Sequence, residues 1–219
     1  MGIPHGLVVS AARPRAYAEF VDTVVRAATE ENIPQIAAMM ARAFDADPVM
    51  RWAVPRAESR PRRLAGVYRA IVQHEGVPFG ATDAAVSEGA VVGAAVWRPP
   101  GRRLIGRHAV PFALAAGWAL GPSIPRMVTM GRRVFAAYPA QPHWYLQLLA
   151  VDPVVQRRGV GTALMVAGLD RVDAERMLAY LETTSGNLAF YERLGFRVSG
   201  EVRMPRSSPR QFRLLRSTP

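Results

Sequence analysis

Apolar residues recur along this chain in two periods, and the switches between them give an order of elements. Thr23 to Ala28 is β-branched and alternating, which predicts a first strand. Behind Thr29 as N-cap, Ile33, Ile36, Ala37, Met40 and Phe44 fall at helical spacing. That helix is expected to stop near Asp45 to Pro48, because a proline disfavours the helical conformation of the residue before it. A second helix is predicted from about Pro61 to Glu75, with Leu64, Val67, Tyr68 and Ile71 inward and Gly76 at its end. Thr82 to Val86 and Ala90 to Trp97 are short apolar runs around Ser87-Glu88-Gly89, the pattern of an antiparallel hairpin.

Residues 102–140 break this rhythm. They are rich in Arg, Ala, Gly and Pro and predict two helices, about Ile105 to Ala119 and Ile124 to Ala137, inserted between two strands. Connections of this length commonly act as lids, and Trp118, Phe135 and Tyr138 are its candidate walls for a bound molecule. The pattern resumes with an apolar strand from Trp144 to Val151, a break at Asp152-Pro153, and a helix carrying Ala163, Leu164, Met165, Gly168, Leu169 and Val172. Met177 to Thr183, Phe196 to Val202 and Gln211 to Leu215 read as strands, with a short helix from Asn187 to Leu194 capped by Gly195. The order β α α β β (insert) β α β α β β predicts an α/β fold, a mixed sheet flanked by helices. It forms a single domain over residues 23–217, behind an N-terminal extension at residues 1–22.

Composition narrows the chemistry. With no cysteine, disulfides, thiolate nucleophiles and thiolate-bound metal are excluded, and a reducing compartment is compatible. The four histidines are scattered without an i, i+4 pair, so no metal site is expected. The formal charge of +11 is carried by arginine alone. Those arginines are spread along the chain rather than interleaved with aromatics, which disfavours nucleic acid as a partner. Neither a signal peptide nor a membrane span is legible, so a soluble cytoplasmic protein is expected, with a homodimer compatible.

The most chemically loaded stretch is Gln156-Arg157-Arg158-Gly159-Val160-Gly161-Thr162. It leads from a strand into a helix, and a helix start offers unpaired N–H groups and partial positive charge. Glycines there let a phosphate oxygen approach the backbone, and two arginines add full charges.

This loop, with Asn187-Leu188-Ala189-Phe190-Tyr191-Glu192-Arg193-Leu194-Gly195-Phe196, resembles the GNAT superfamily of acetyl-CoA-dependent N-acetyltransferases. The loop matches the family's Q/R-x-x-G-x-G/A signature, and Trp144-Tyr145-Leu146 with Leu149-Ala150-Val151 looks like its fourth strand. Within the family the chain is most similar to puromycin N-acetyltransferase-like members, over roughly residues 23 to 216. The resemblance implies acetyl-CoA as co-substrate. Its pyrophosphate would lie on the amides of Arg157 to Thr162, with Gln156 at the start of the loop, and its pantetheine arm along the backbone of Leu149, Ala150 and Val151. Tyr191 would lie near the sulfur as general acid, and Asn187 would either cap its helix or bond the cofactor.

The acceptor implied is a primary amine on a small molecule, received in a ternary complex. Where the puromycin-like members carry a tyrosine before the proline that ends the first helix, this chain has Asp47. The amine's proton therefore has three candidate receivers: Asp47, Glu182 and water. Competing readings are acetylation of a protein N-terminus or lysine, and a non-catalytic module binding acyl-CoA or nucleic acid. The insert, which would cover the acceptor groove, favours a compact substrate.

Overall fold

The computed structural model describes residues 23–101 and 109–217. The N-terminal extension and the expected helical residues 105–108 lie outside the described residues. Seven strands form one sheet: β1 (Thr23–Ala27), β2 (Thr82–Ser87), β3 (Ala90–Arg98), β4 (His143–Val151), β5 (Leu178–Thr183), β6 (Arg197–Val202) and β7 (Gln211–Arg216). Their order is β1-β2-β3-β4-β5-β7-β6; β4 and β5 run parallel and every other pair antiparallel. Glu88 and Gly89, with φ of 50° and 78°, make the two-residue turn between β2 and β3, where both positions need positive φ.

The period-two alternation of the strands sorts the core into two layers. Ala94, Val96 and Ala150 face α1 (Ile33–Phe44) and α3 (Arg60–Ile71), packing on Ile36, Met40, Leu64 and Val67. Ala95, Trp97, Trp144, Leu146, Ala179 and Leu181 face α6 (Val160–Ala174), packing on Leu164, Met165, Leu169 and Val172. Gly168 is required on that helix, since a Cβ there would lie 2.2 Å from Nε1 of Trp97.

Three local readings differ from the structure. Asp47 does not only follow a helix end: its carboxylate accepts the amide of Met50 at 2.9 Å and begins α2 (Pro48–Ala53), with Pro48 at the first helical position. The second helix leaves α geometry after Ile71 and continues as a π turn, Val72–Gly76, which carries Glu75 inward. Of the insert, α4 (Ala109–Leu120) packs on α3, where Gly66 lies against Ala119, and α5 (Ile124–Ala136) follows through a short 3₁₀ turn. Val110, Leu114 and Trp118 recur on the outer face of α4, and Trp118 is 90% exposed, so it lines no enclosed site. No helix among the described residues is long and apolar enough to cross a membrane.

Candidate active site

The site follows from a parting of the sheet. β4 pairs with β5 only at His143↔Leu178, Trp144↔Ala179 and Tyr145↔Tyr180, while β5 stays paired with β7 through Thr183. Beyond Tyr145 the two parallel strands have no register partners in each other. β4 remains bonded to β3 as far as Val151↔Gly93, and the amide of Asp152 donates to the carbonyl of Val92 at 2.9 Å. Peptide groups alternate in direction along a strand, so residues 150 and 152 point to β3 and Leu149 and Val151 point into the gap. Of the three residues expected to offer backbone there, Ala150 is therefore turned the other way. The carbonyl of Val151 accepts from Nε2 of Gln156 at 3.1 Å, so this glutamine fastens the loop to the strand end.

At the mouth of the gap lies the glycine loop. Arg157 (φ 63°) and Gly159 (φ 81°) are both left-handed, which curls the backbone and turns successive amides to one side. For an arginine that conformation costs on the order of 1–2 kcal/mol. A Cβ at Gly159 would meet nothing within 4 Å, so the space beside the backbone is open. The first bond of α6 runs from the amide of Ala163 to the carbonyl of Gly159 at 3.0 Å, leaving the amides of Val160, Gly161 and Thr162 ahead of it. Arg157 and Arg158 are exposed and form no ion pair among the described residues. Asp152 holds the neighbouring strand end to α1 through Arg42 at 2.5 Å.

Across the gap stands α7 (Leu188–Glu192). Tyr191 is buried, its ring between Phe190 and Phe196 at centroid distances of 5.0 and 5.9 Å. Burial alone raises its hydroxyl above the usual tyrosine range, so the phenol stays protonated. Asn187 precedes α7 with an exposed carboxamide that makes no capping bond, which removes capping as its role.

On the α1–α3 face of the sheet the alternation gathers His143, Tyr145, Gln147, Tyr180 and Glu182. β4 carries one extra residue at Gln147, between Leu146↔Trp97 and Leu148↔Val96, and this bulge aims its carboxamide at Glu75. Arg98 Nη2 pairs with buried Glu75 and also reaches Gln147 at 3.2 Å, while Nη1 donates to the Tyr138 hydroxyl at 3.4 Å. Tyr138, from the end of the insert, rests on Tyr145 and Tyr180 at 4.9 and 5.5 Å. Phe135 stacks on Tyr138 at 5.4 Å. The carbonyl of Ala137 accepts from the Tyr180 hydroxyl at 3.2 Å and from Arg213 at 3.4 Å, which ties α5 down over the site.

Glu182 is the titrating member of this cluster. Burial pushes its carboxyl up to about 7, against the opposing pull of the Tyr180 and Tyr145 hydroxyls, its own backbone and Arg98. Its Oε1 is buried without a hydrogen-bond partner. Asp47 lies elsewhere: burial raises its carboxyl too, but its bonds cap α2 and its electrostatic neighbour is Tyr68. Glu75, Arg98 and Gln147 were not singled out by the sequence. Each looks locally like a helix or strand surface position, and only the fold brings them together.

The model of the acetyltransferase (GNAT) family matches residues 40–196. The chain belongs to the GNAT acetyltransferase family. It is an acyltransferase, and acetyl-CoA is the family's donor. Solved structures share the fold of this GNAT acetyltransferase. One described as histone acetyltransferase HPA2 and related acetyltransferase from Corynebacterium glutamicum is 23% identical, with 90% of this chain and 97% of that chain covered at a TM-score of 0.68. Drosophila melanogaster polyamine N-acetyltransferase is 20% identical, covering 90% and 100% at 0.52. The NatC complex bound to Gag peptide and CoA is 18% identical, covering 90% and 99% at 0.54. The residues fit the donor: the open space at Gly159 and the free amides of α6 suit a pyrophosphate, and the unpaired edge of β4 suits the amides of a pantetheine arm. No group of three or more His, Asp or Glu among the described residues is arranged to hold a metal ion.

Proposed function

We propose that this acetyltransferase moves the acetyl group of acetyl-CoA directly to a primary amine of a small molecule within a ternary complex, as puromycin N-acetyltransferase-like members do. The observation that carries the reading is the buried carboxylate of Glu182 beside the strand gap, one oxygen of which has no hydrogen-bond partner, roofed by Tyr138 of the insert. The Drosophila neighbour, named for polyamines, offers a precedent for small amine acceptors on this fold.

In this reading the backbone of Leu149 and Val151 aligns the pantetheine arm, while Arg157 to Thr162 hold the pyrophosphate, with Asn187 as a further donor to the cofactor. An alkylammonium is not nucleophilic, so its proton must leave before attack. Glu182, near 7, is ionised in an appreciable fraction at neutral pH and is more basic than an ordinary glutamate. It is the receiver of that proton, in preference to Asp47, whose carboxylate is committed to a helix cap. Tyr191 meets the departing sulfur as general acid. A thiolate whose conjugate acid has a pKa near ~8.5 accepts a hydrogen bond and then a proton from a phenol that is still protonated.

The test is thiol release from acetyl-CoA with a panel of small primary amines and with peptides bearing a free N-terminus or lysine. Turnover of small amines at higher kcat/KM than any peptide supports the reading. Release with peptides alone makes the chain a protein acetyltransferase, and acetyl-CoA binding without release makes it a binding module.

A further inference from the structure

Resting on that transfer reading, we infer that the acceptor is bound as an ammonium ion of single charge and that the site discriminates against amines carrying a second cation. Two carboxylates belong to the polar cluster beside the gap, Glu75 and Glu182. Glu75 is spoken for: it accepts from Arg98 and, at 3.1 Å, from Gln147. Glu182 forms no ion pair among the described residues, and its Oε1, like that of Glu75, is buried without a hydrogen-bond partner. One carboxylate outside any ion pair among those residues is therefore left for a ligand, and it suits one cation.

What surrounds that charge matters as much. The guanidinium of Arg98 lies over the ring of Tyr145, 5.6 Å from its centroid. On the opposite side β7 sets Arg213 directly across from Glu182 in register. Among the described residues Arg213 donates to the carbonyls of Ala137 and Ser199, and its Nε is buried without a partner. A first ammonium gains the Glu182 carboxylate and aromatic rings. A second one, a few carbons away, finds Glu75 already paired with Arg98 and faces like charge that burial leaves poorly screened. The formal charge of +11 over the whole chain opposes it further.

The experiment is calorimetric titration of the full chain at about pH 8, where Glu182 is ionised, with hexylamine, aminohexanol and diaminohexane, which share one carbon chain. Hexylamine and aminohexanol should bind within a few fold of each other, and diaminohexane at least tenfold more weakly. The Arg98→Gln variant frees Glu75 and should raise diamine affinity relative to hexylamine at least tenfold. Should that variant melt early, Glu75→Gln leaves Arg98 uncompensated and should instead widen the wild-type discrimination. Diamine affinity equal to or above that of hexylamine in the wild type overturns the inference. Thiol release keeps the two readings apart: equal kcat/KM for both amines would leave the transfer standing and this selectivity refuted. Selective binding without release would refute the transfer and leave the single-cation preference standing.

Discussion

Tyr145 and Tyr180 form the last register pair joining β4 to β5, and their rings lie 5.9 Å apart on the face that also carries Glu182. The same pair thus ends the strand contact and, in the proposed reading, begins the acceptor wall. Beyond it, that reading assigns one strand edge to the donor and one carboxylate to the amine.

If Glu182 receives the amine's proton, kcat/KM should rise with pH through an inflection near 7, because the carboxylate must be ionised to act. Glu182→Gln should cost roughly 10²–10⁴-fold and erase that inflection. A pH–rate profile of both proteins decides it. An inflection that survives in the variant belongs to another group.

The same shift has a stability consequence of opposite sense. Glu182 holds its proton more tightly in the folded chain than in the unfolded one, so its contribution is intact below the ordinary glutamate range and is lost as pH rises through about 7. Glu182→Gln removes that loss. The variant should melt above wild type near pH 8, by an amount of order 3 kcal/mol at most, and match it near pH 4. Melting curves at the two pH values read it directly, and a variant less stable at both would count against a strained carboxylate.

Acetyl-CoA at a hundred times its dissociation constant should stabilise the fold by about 2.7 kcal/mol. Gly161 sits at the start of α6 with Val151 and Phe190 at ordinary contact distances of 3.5 and 3.7 Å from a built Cβ. Gly161→Asp should therefore fold, yet lose that stabilisation, since its carboxylate would repel the pyrophosphate. A thermal shift with acetyl-CoA equal to that of wild type would remove the loop from the donor site.

Tyr191→Phe keeps the ring between Phe190 and Phe196 and removes only the hydroxyl. Acetyl-CoA affinity should stay within a few fold while the rate falls by roughly 10²–10⁴-fold. An activated aryl thioester, whose leaving thiol is more acidic, should recover part of the rate. Equal turnover by both proteins with the natural donor, under rate-limiting chemistry, would take the hydroxyl out of the mechanism.

Gly168→Ala tests the packing beneath the site. Its methyl would collide with the fully buried indole of Trp97, so the variant should lose about 1–3 kcal/mol in denaturant unfolding. An unchanged midpoint would mean that α6 shifts freely on the sheet.

The sequence by itself determined the order of elements and the glycine loop on which the donor is proposed to lie. Amphipathic period, glycine turns and the Arg157 to Thr162 loop are written in residues close along the chain, and short-range sterics and hydrogen bonding act on such spacings. Its misreadings were local ones with a common cause: Asp47-Pro48 signals a helix end and a helix start alike, and nothing nearby in sequence says that Val72 to Gly76 widens into a π turn. The proposed acceptor side was legible only in part, through Glu182 and Tyr138. Glu75, Arg98, Gln147 and Tyr145 come from a helix end and two strands, and their meeting depends on strand register, on one bulge at Gln147 and on where β4 parts from β5. Those are long-range pairings, and with them comes the burial that lifts one carboxylate to about 7 and leaves the other neutralised by an arginine. Tertiary structure alone decides that difference, because the cost of burying a charge is set by what surrounds it and not by its neighbours in sequence.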